Sequence, residues 1–208
     1  MTDRLTAAEH SHLWDAFRRG SQESFAQLYE LFVSDLYRYG YNLIRNKQVV
    51  EDCLHELFLH IYENRQRLGS TDNIRFYLYR ALRRRLLDTV TKLTKFDSDD
   101  YLFDGVEFLV QSYEHELVEA QLLDQQKRLV LLELDKLPKR QKEILYLVYM
   151  KGLTYQQAAE VMNITMKSVY NTIHVALTAL RTHLPDSFQQ GGALLSILGT
   201  LFTYFIKI

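Results

Sequence analysis

The sequence predicts an all-α protein: two helical domains joined by a flexible linker, followed by a hydrophobic C-terminal helix. Helix breakers are scarce, with two prolines and eight glycines in 208 residues, and 47% of the residues are apolar, enough to bury real cores. Apolar residues recur at steps of three and four over long stretches, with no convincing strand alternation. An acidic stretch of weak periodicity separates the periodic runs. The expected division is 1–94 for the first domain, 95–117 for the linker, 118–185 for the second domain and 186–208 for the tail.

In the first domain, Trp14, Phe17, Phe25, Leu28, Phe32, Leu36, Tyr39 and Leu43 form one apolar stripe, interrupted at Gly20-Ser21. Ser21 is a plausible N-cap for a helix ending near Ile44. Val49, Val50, Cys53, Leu54, Leu57, Phe58, Ile61 and Tyr62 mark a second run, which ends near Leu68-Gly69. Gly69 to Asn73 is polar and reads as a loop, and a third helix spans roughly Ile74 to Leu93. The linker carries Asp97, Asp99, Asp100 and Asp104 among scattered aromatics. Helical pattern returns from Leu117 to Leu137. Pro138 suits the first turn of a further helix, which holds Ile144, Leu145, Val148 and Tyr149 and stops at Lys151-Gly152.

The formal net charge is −1, from 25 basic and 26 acidic residues. That balance does not suit a protein that coats DNA alone, so any nucleic-acid surface must be local and aided by a partner. A single cysteine, Cys53, excludes an internal disulfide framework and fits a reducing, cytoplasmic compartment. The polar segment Met1 to His12 has no apolar signal-peptide core.

Lys151 to Thr165 has helix-turn-helix form. Thr154 can cap a short helix, Ala158 and Ala159 are small where two helices would cross, and Asn163 tolerates the left-handed turn. Thr165 caps the next helix, which runs to about His183. Such a second helix enters the major groove with its N-terminal residues leading, here Lys167, Ser168, Tyr170, Asn171 and His174. Val169, Ile173, Ala176, Leu177 and Leu180 would face the core. An ordinary helical hairpin is the competing explanation.

The helix after Ile74 crowds Arg75, Arg80, Arg83, Arg84 and Arg85 with Phe76, Tyr77 and Tyr79. Arginines pair with phosphates and aromatics stack on unpaired bases, which suits a surface meeting duplex and single-stranded DNA together. Leu78 and Tyr79 fit the core better. Three adjacent arginines fan around a helix, so at least one points away from any single contact.

In these features the chain resembles the sigma-70 family, specifically its compact extracytoplasmic-function type. Val49-Val50-Glu51-Asp52-Cys53-Leu54-His55-Glu56-Leu57-Phe58-Leu59 is similar to the family's polymerase-binding helix. Phe76-Tyr77-Leu78-Tyr79-Arg80 through Asp88 is similar to its promoter-melting, minus-ten-reading helix, and Leu137-Pro138-Lys139-Arg140-Gln141 through Arg181 to its minus-thirty-five domain. The resemblance implies an RNA polymerase sigma factor whose partners are core polymerase, promoter DNA and an anti-sigma factor. It implies that Asp52, Glu56 and Phe58 dock on polymerase, although Phe58 also fits the apolar stripe. It implies further that Leu68-Gly69-Ser70 forms a pocket for a flipped base, whose extrusion costs a few kcal/mol of stacking. Two departures stand out: Arg84 where the family usually has Asn, and Tyr170 and Thr172 where it usually has Lys or Arg. Fewer cations on that helix weaken phosphate attraction and flatten the salt dependence.

Metal chemistry is not expected, since the seven histidines are scattered and His55 with His60 is an i, i+5 pair. No Gly-rich phosphate cradle or nucleophile motif indicates an enzyme, and no cofactor is implied. One rival is a helix-turn-helix regulator acting on duplex DNA without polymerase. Another is a membrane-tethered adaptor, suggested only by the tail. There, Ala193 to Ile206 is uncharged but spans only about 21 Å as a helix at 1.5 Å per residue, short of a bilayer core of roughly 30 Å. Ser196, Gly199, Thr200, Thr203 and Lys207 share one stripe, so the expectation is an amphipathic helix that docks on this protein's own domains or on a partner, hinged at Gln189-Gln190-Gly191-Gly192.

Overall fold

The computed structural model describes residues 7–71, 73–94 and 121–184, and all regular structure among them is helical. The chain divides into two compact units, Met1–Tyr101 and Leu102–Ile208. The expected linker over 95–117 and the apolar tail over 186–208 lie outside the described residues.

The first unit contains α1 (Ala7–Arg18), α2 (Gln22–Ile44), α3 (Lys47–Glu63) and α4 (Ile74–Thr94). Gly20, at φ 106°, makes the turn between α1 and α2 that only glycine adopts without strain. Ser21 then accepts the Ser24 N–H at 3.1 Å, as its sequence position predicts. Two residues separate α2 from α3: Arg45, left-handed at φ 54°, and Asn46, whose side chain accepts the Val49 N–H at 3.1 Å. Helix α3 stops at Glu63, earlier than the apolar pattern suggests. Asn64 caps it there by donating its side-chain amide to the His60 carbonyl at 2.9 Å, an alternative to continued helix that asparagine offers readily. Asn73 begins α4 by accepting the Phe76 N–H at 2.9 Å.

Helix α2 packs against α1, α3 and α4. Leu28, Phe32, Leu36, Tyr39 and Leu43 meet Val50, Leu54, Leu57 and Ile61 from α3 and Leu78, Leu82, Leu86 and Val90 from α4 in one buried core. Cys53 belongs to this layer, and burial pushes its thiol pKa up. Gly40 sets the closeness of the crossing. A Cβ there would lie 2.9 Å from Val50 Cγ1 and 3.2 Å from Leu86 Cδ1. Val50 is β-branched and stiff, so it yields poorly. Gly40→Ala should therefore destabilise the unit by about 1 kcal/mol, overpacking of roughly 1–3 kcal/mol outweighing a helix-propensity gain of about 1 kcal/mol. Urea unfolding measures this. Adding Val50→Ala should restore part of the loss, giving non-additivity between the sites; an unchanged or raised midpoint for Gly40→Ala would contradict the steric argument.

The second unit contains α5 (Gln121–Lys136), α6 (Lys139–Leu145), a π-helical turn over Tyr146–Met150, α7 (Tyr155–Met162) and α8 (Met166–His183). Sequence pattern suggested one continuous helix from Pro138 to Lys151; the structure widens its last turn, with the Lys151 N–H reaching the Tyr146 carbonyl at 3.0 Å. The widening lets Lys151, 4% exposed, place its ammonium 5.3 Å from the Tyr146 ring centre. Gly152, left-handed at φ 67°, then turns the chain toward α7. Among the described residues no helix is long and apolar enough to cross a membrane.

Candidate nucleic-acid interface

Helix α7 starts with a reciprocal cap. Thr154 Oγ1 accepts the Gln157 N–H at 3.2 Å, and Gln157 Oε1 accepts the Thr154 N–H at 3.0 Å. Asn163, left-handed at φ 54°, makes the tight turn, and Thr165 Oγ1 accepts the Ser168 N–H at 3.1 Å to open α8. Val169, Ile173, Ala176, Leu177 and Leu180 are buried against the rest of the unit. The 3.6-residue period therefore leaves Lys167, Ser168, Tyr170, Asn171 and His174 exposed together along the start of α8. Thr154 and Thr165 are exposed as well, with their hydroxyl oxygens engaged as caps. Beside this face Tyr155 meets the Tyr170 ring edge-on at 4.9 Å, and the Tyr149 hydroxyl lies 3.5 Å from that of Tyr155. Burial, reinforced by the Tyr155 hydroxyl, pushes the Tyr149 phenol above its usual range, so it is neutral at physiological pH.

In the first unit, the loop between α3 and α4 is held by side chains more than forty residues earlier. Arg18 Nε donates to the Leu68 carbonyl at 2.7 Å, and Trp14 Nε1 donates to the Gly69 carbonyl at 3.0 Å. Asp15 steadies Arg18 at 2.9 Å. Leu68 is half-buried, and Gly69 and Ser70 face solvent. An open cleft of about 420 Å³ lies beside the loop, lined by Asp15, Arg18, Arg19 and Gln66. Tyr77, at the start of α4, packs edge-on against Trp14 at 5.4 Å, and burial raises its phenol pKa.

A second open cleft, about 520 Å³, runs between α3 and α4. It brings Tyr77, Arg80 and Arg84, expected at DNA, together with Glu56, expected at polymerase. Arg80 and Arg84 are exposed, and Arg75 is half-buried. The Arg80 guanidinium lies 5.9 Å from the Phe76 ring centre, and Arg84 pairs loosely with Asp88 at 3.8 Å, where solvent screens the attraction. Glu56 is bound to Arg85 at 2.7 Å.

Two expectations change. Arg83 is 8% exposed, because it follows Tyr79 by four residues and precedes Leu86 by three on the inward arc of α4. In this conformation its side chain is buried, whereas those of Arg80 and Arg84 are exposed. Phe58 is 5% exposed, packed edge-on to Tyr29 at 4.8 Å and to Phe25 at 6.3 Å, so its place is the core side of α3. Asp52 and Glu56 remain on the exposed side, with Gln48 donating to Asp52 at 3.0 Å. Sequence reasoning missed Trp14 and Arg18 as site residues, and it named Arg85 in the arginine run without its Glu56 partner. Trp14 carried only an apolar-stripe signal, and nothing local marks Arg18 as a loop anchor.

Residues 28–96 match the family description "Sigma-70 region 2", and residues 127–180 match "Sigma-70, region 4". The ECF RNA polymerase sigma factor SigM of Bacillus subtilis (strain 168) is 29% identical over 161 residues, covering 74% of this chain and 93% of its own. SigW of the same organism is 26% identical over 181 residues, covering 81% and 93%. Among solved structures, CnrH in complex with the cytosolic domain of CnrY shares the fold at a TM-score of 0.53 and 19% identity, covering 85% of this chain and 96% of its own. The sigma factor RpoE in complex with the anti-sigma factor NepR from Bartonella quintana does so at 0.51 and 18%, covering 77% and 96%. With both regions matched in order on an all-helical, two-unit scaffold, the chain belongs to the sigma-70 family, as an RNA polymerase sigma factor of the extracytoplasmic-function type.

Proposed function

We propose that the first unit docks on core RNA polymerase through the outer face of α3, that α4 and the Leu68-Gly69-Ser70 loop read and open the minus-ten element, and that the leading face of α8 reads the minus-thirty-five element. The observation that carries this division is the α3–α4 cleft, where Arg80 and Arg84 stand beside Tyr77, whose ring packs on the Trp14 that anchors the loop. Promoter opening is a binding reaction. Guanidinium groups hold phosphates as the strands part, and a loop fixed before DNA arrives need not be ordered on binding. An unstacked base loses a few kcal/mol of stacking, which a preformed pocket and nearby cations offset. Asp52 and Glu56 supply the docking carboxylates, while Phe58 acts indirectly by seating α3 against α2. The related RpoE is bound by an anti-sigma factor, NepR, so a protein that covers one of these faces is the natural regulator. The working compartment is the cytoplasm, where polymerase and promoter meet.

Asp52→Lys is the sharper test of the docking face. Glu56→Lys would also break the Arg85 pair and set two cations together, whereas Asp52 accepts an exposed Gln48 amide and forms no ion pair among the described residues. In competition with the unaltered protein for core polymerase, Asp52→Lys should bind at least tenfold more weakly with unchanged thermal stability, a difference of about 1.4 kcal/mol or more. Equal competition would remove Asp52 from the interface. Transcription in vitro with core polymerase and a promoter library tests the division as a whole; promoter binding without any requirement for polymerase would refute it.

A further inference from the structure

Three tyrosines form a connected row across the second unit, from Tyr149 through Tyr155 to Tyr170. Tyr170, at its outer end, is 57% exposed and lies on the same face as Lys167, Asn171 and His174. Its ring is therefore exposed apolar surface among polar side chains, with Met166 (52% exposed) one helical turn earlier. The ring is also braced. Tyr155 meets it edge-on at 4.9 Å with an interplanar angle of 75°, and Tyr155 is itself half-buried with its hydroxyl 3.5 Å from that of Tyr149. An aromatic ring held in this way loses little conformational freedom when it meets a partner.

The chemistry of that partner follows from the groove, on the reading above that α8 leads into DNA. Major-groove base edges offer hydrogen-bond donors and acceptors and one apolar group, the thymine C5-methyl. We infer that Tyr170 is a specificity residue that reads a thymine methyl in the upstream promoter element, and that Tyr155 is the positioning residue that sets its ring. Lys167 and Asn171 beside it serve different chemistry, phosphate attraction and base hydrogen bonding. The methyl contact needs the ring of Tyr170 and not its hydroxyl.

Deoxyuridine, which lacks only that methyl, supplies the probe. Full-length protein with core polymerase is bound to promoters in which each upstream thymine is replaced in turn by deoxyuridine. One position should weaken binding about fourfold, as expected from the ~0.8 kcal/mol of one buried methylene-sized group. Tyr170→Ala should bind the thymine and uracil promoters equally, and Tyr170→Phe should retain the preference. Tyr155→Ala should reduce it with Tyr170 still in place, and Tyr155→Phe should restore it. A fourfold preference that survives Tyr170→Ala, or vanishes in Tyr170→Phe, overturns the methyl contact. Equal losses on both promoters in Tyr155→Ala overturn the positioning role. Asn171→Ala separates this inference from the reading beneath it: if Asn171→Ala changes base preference but no thymine responds, the tyrosine inference alone fails, whereas if neither responds, α8 is not the reading helix.

Discussion

Replacing Arg80 and Arg84 together by alanine is expected to slow open-complex formation about 10²-fold at low salt, the loss of two charge-assisted phosphate contacts at roughly 1.5 kcal/mol each. The salt dependence should flatten at the same time. Each neutralised phosphate contributes about 0.7–0.9 to the slope of log affinity against log salt, so two lost contacts should lower it by about 1.5. Stability should stay within about 0.5 kcal/mol per site, because both side chains are exposed and the Arg84–Asp88 pair at 3.8 Å is solvent-screened. Arg83 must be left in place. It is buried, and its removal would confound a binding effect with a folding one. Arg85 must be left as well, since it holds Glu56. Permanganate reactivity of the melted thymines follows strand opening directly. Unchanged opening and an unchanged salt slope in the double variant would show that these arginines do not meet phosphate.

Trp14 carries the other large effect. Its ring is 1% exposed and packs against Phe17 at 5.6 Å and Tyr77 at 5.4 Å, while its indole N–H holds the Gly69 carbonyl. Trp14→Ala should cost about 3–5 kcal/mol, a large share of the roughly 5–15 kcal/mol that stabilises a domain, leaving the first unit partly unfolded at physiological temperature. Trp14→Phe dissects the two roles. It keeps much of the apolar ring but removes the donor, so the loop loses one of its two anchors. Promoter melting should fall severalfold while polymerase competition and α-helical circular dichroism change little. Arg18→Ala, which frees the Leu68 carbonyl, should act in the same direction. Thermal unfolding of Trp14→Ala within about 1 kcal/mol of the parent would exclude the core role; full melting activity in both Trp14→Phe and Arg18→Ala would exclude the loop role.

The sequence by itself determined where the helices of the described units lie and the helix-turn-helix, because both depend on local spacing, but not the early end of α3 or the π-helical turn over Tyr146–Met150. Ser21, Thr154 and Thr165 cap helices within three residues of themselves. Asn163 needs only its own backbone angles, and Val169, Ile173, Ala176, Leu177 and Leu180 fall inward by helical period alone. Arg83 was within reach of the same reasoning, since Tyr79 and Leu86 bracket it on one arc, but a charge weighed against burial. Tertiary structure alone decided the rest. Period gives an apolar stripe but not its width, so only packing against Phe25 and Tyr29 placed Phe58 inward. No local pattern encodes a donor 50 or 55 residues from its acceptor, as Arg18 and Trp14 are from the loop they hold. Likewise Glu56 meets Arg85 across 29 residues, drawing a residue expected at polymerase into the arginine cleft. Hydrogen bonds and ion pairs act over about 3–4 Å of space, and only the folded chain brings such distant residues that close.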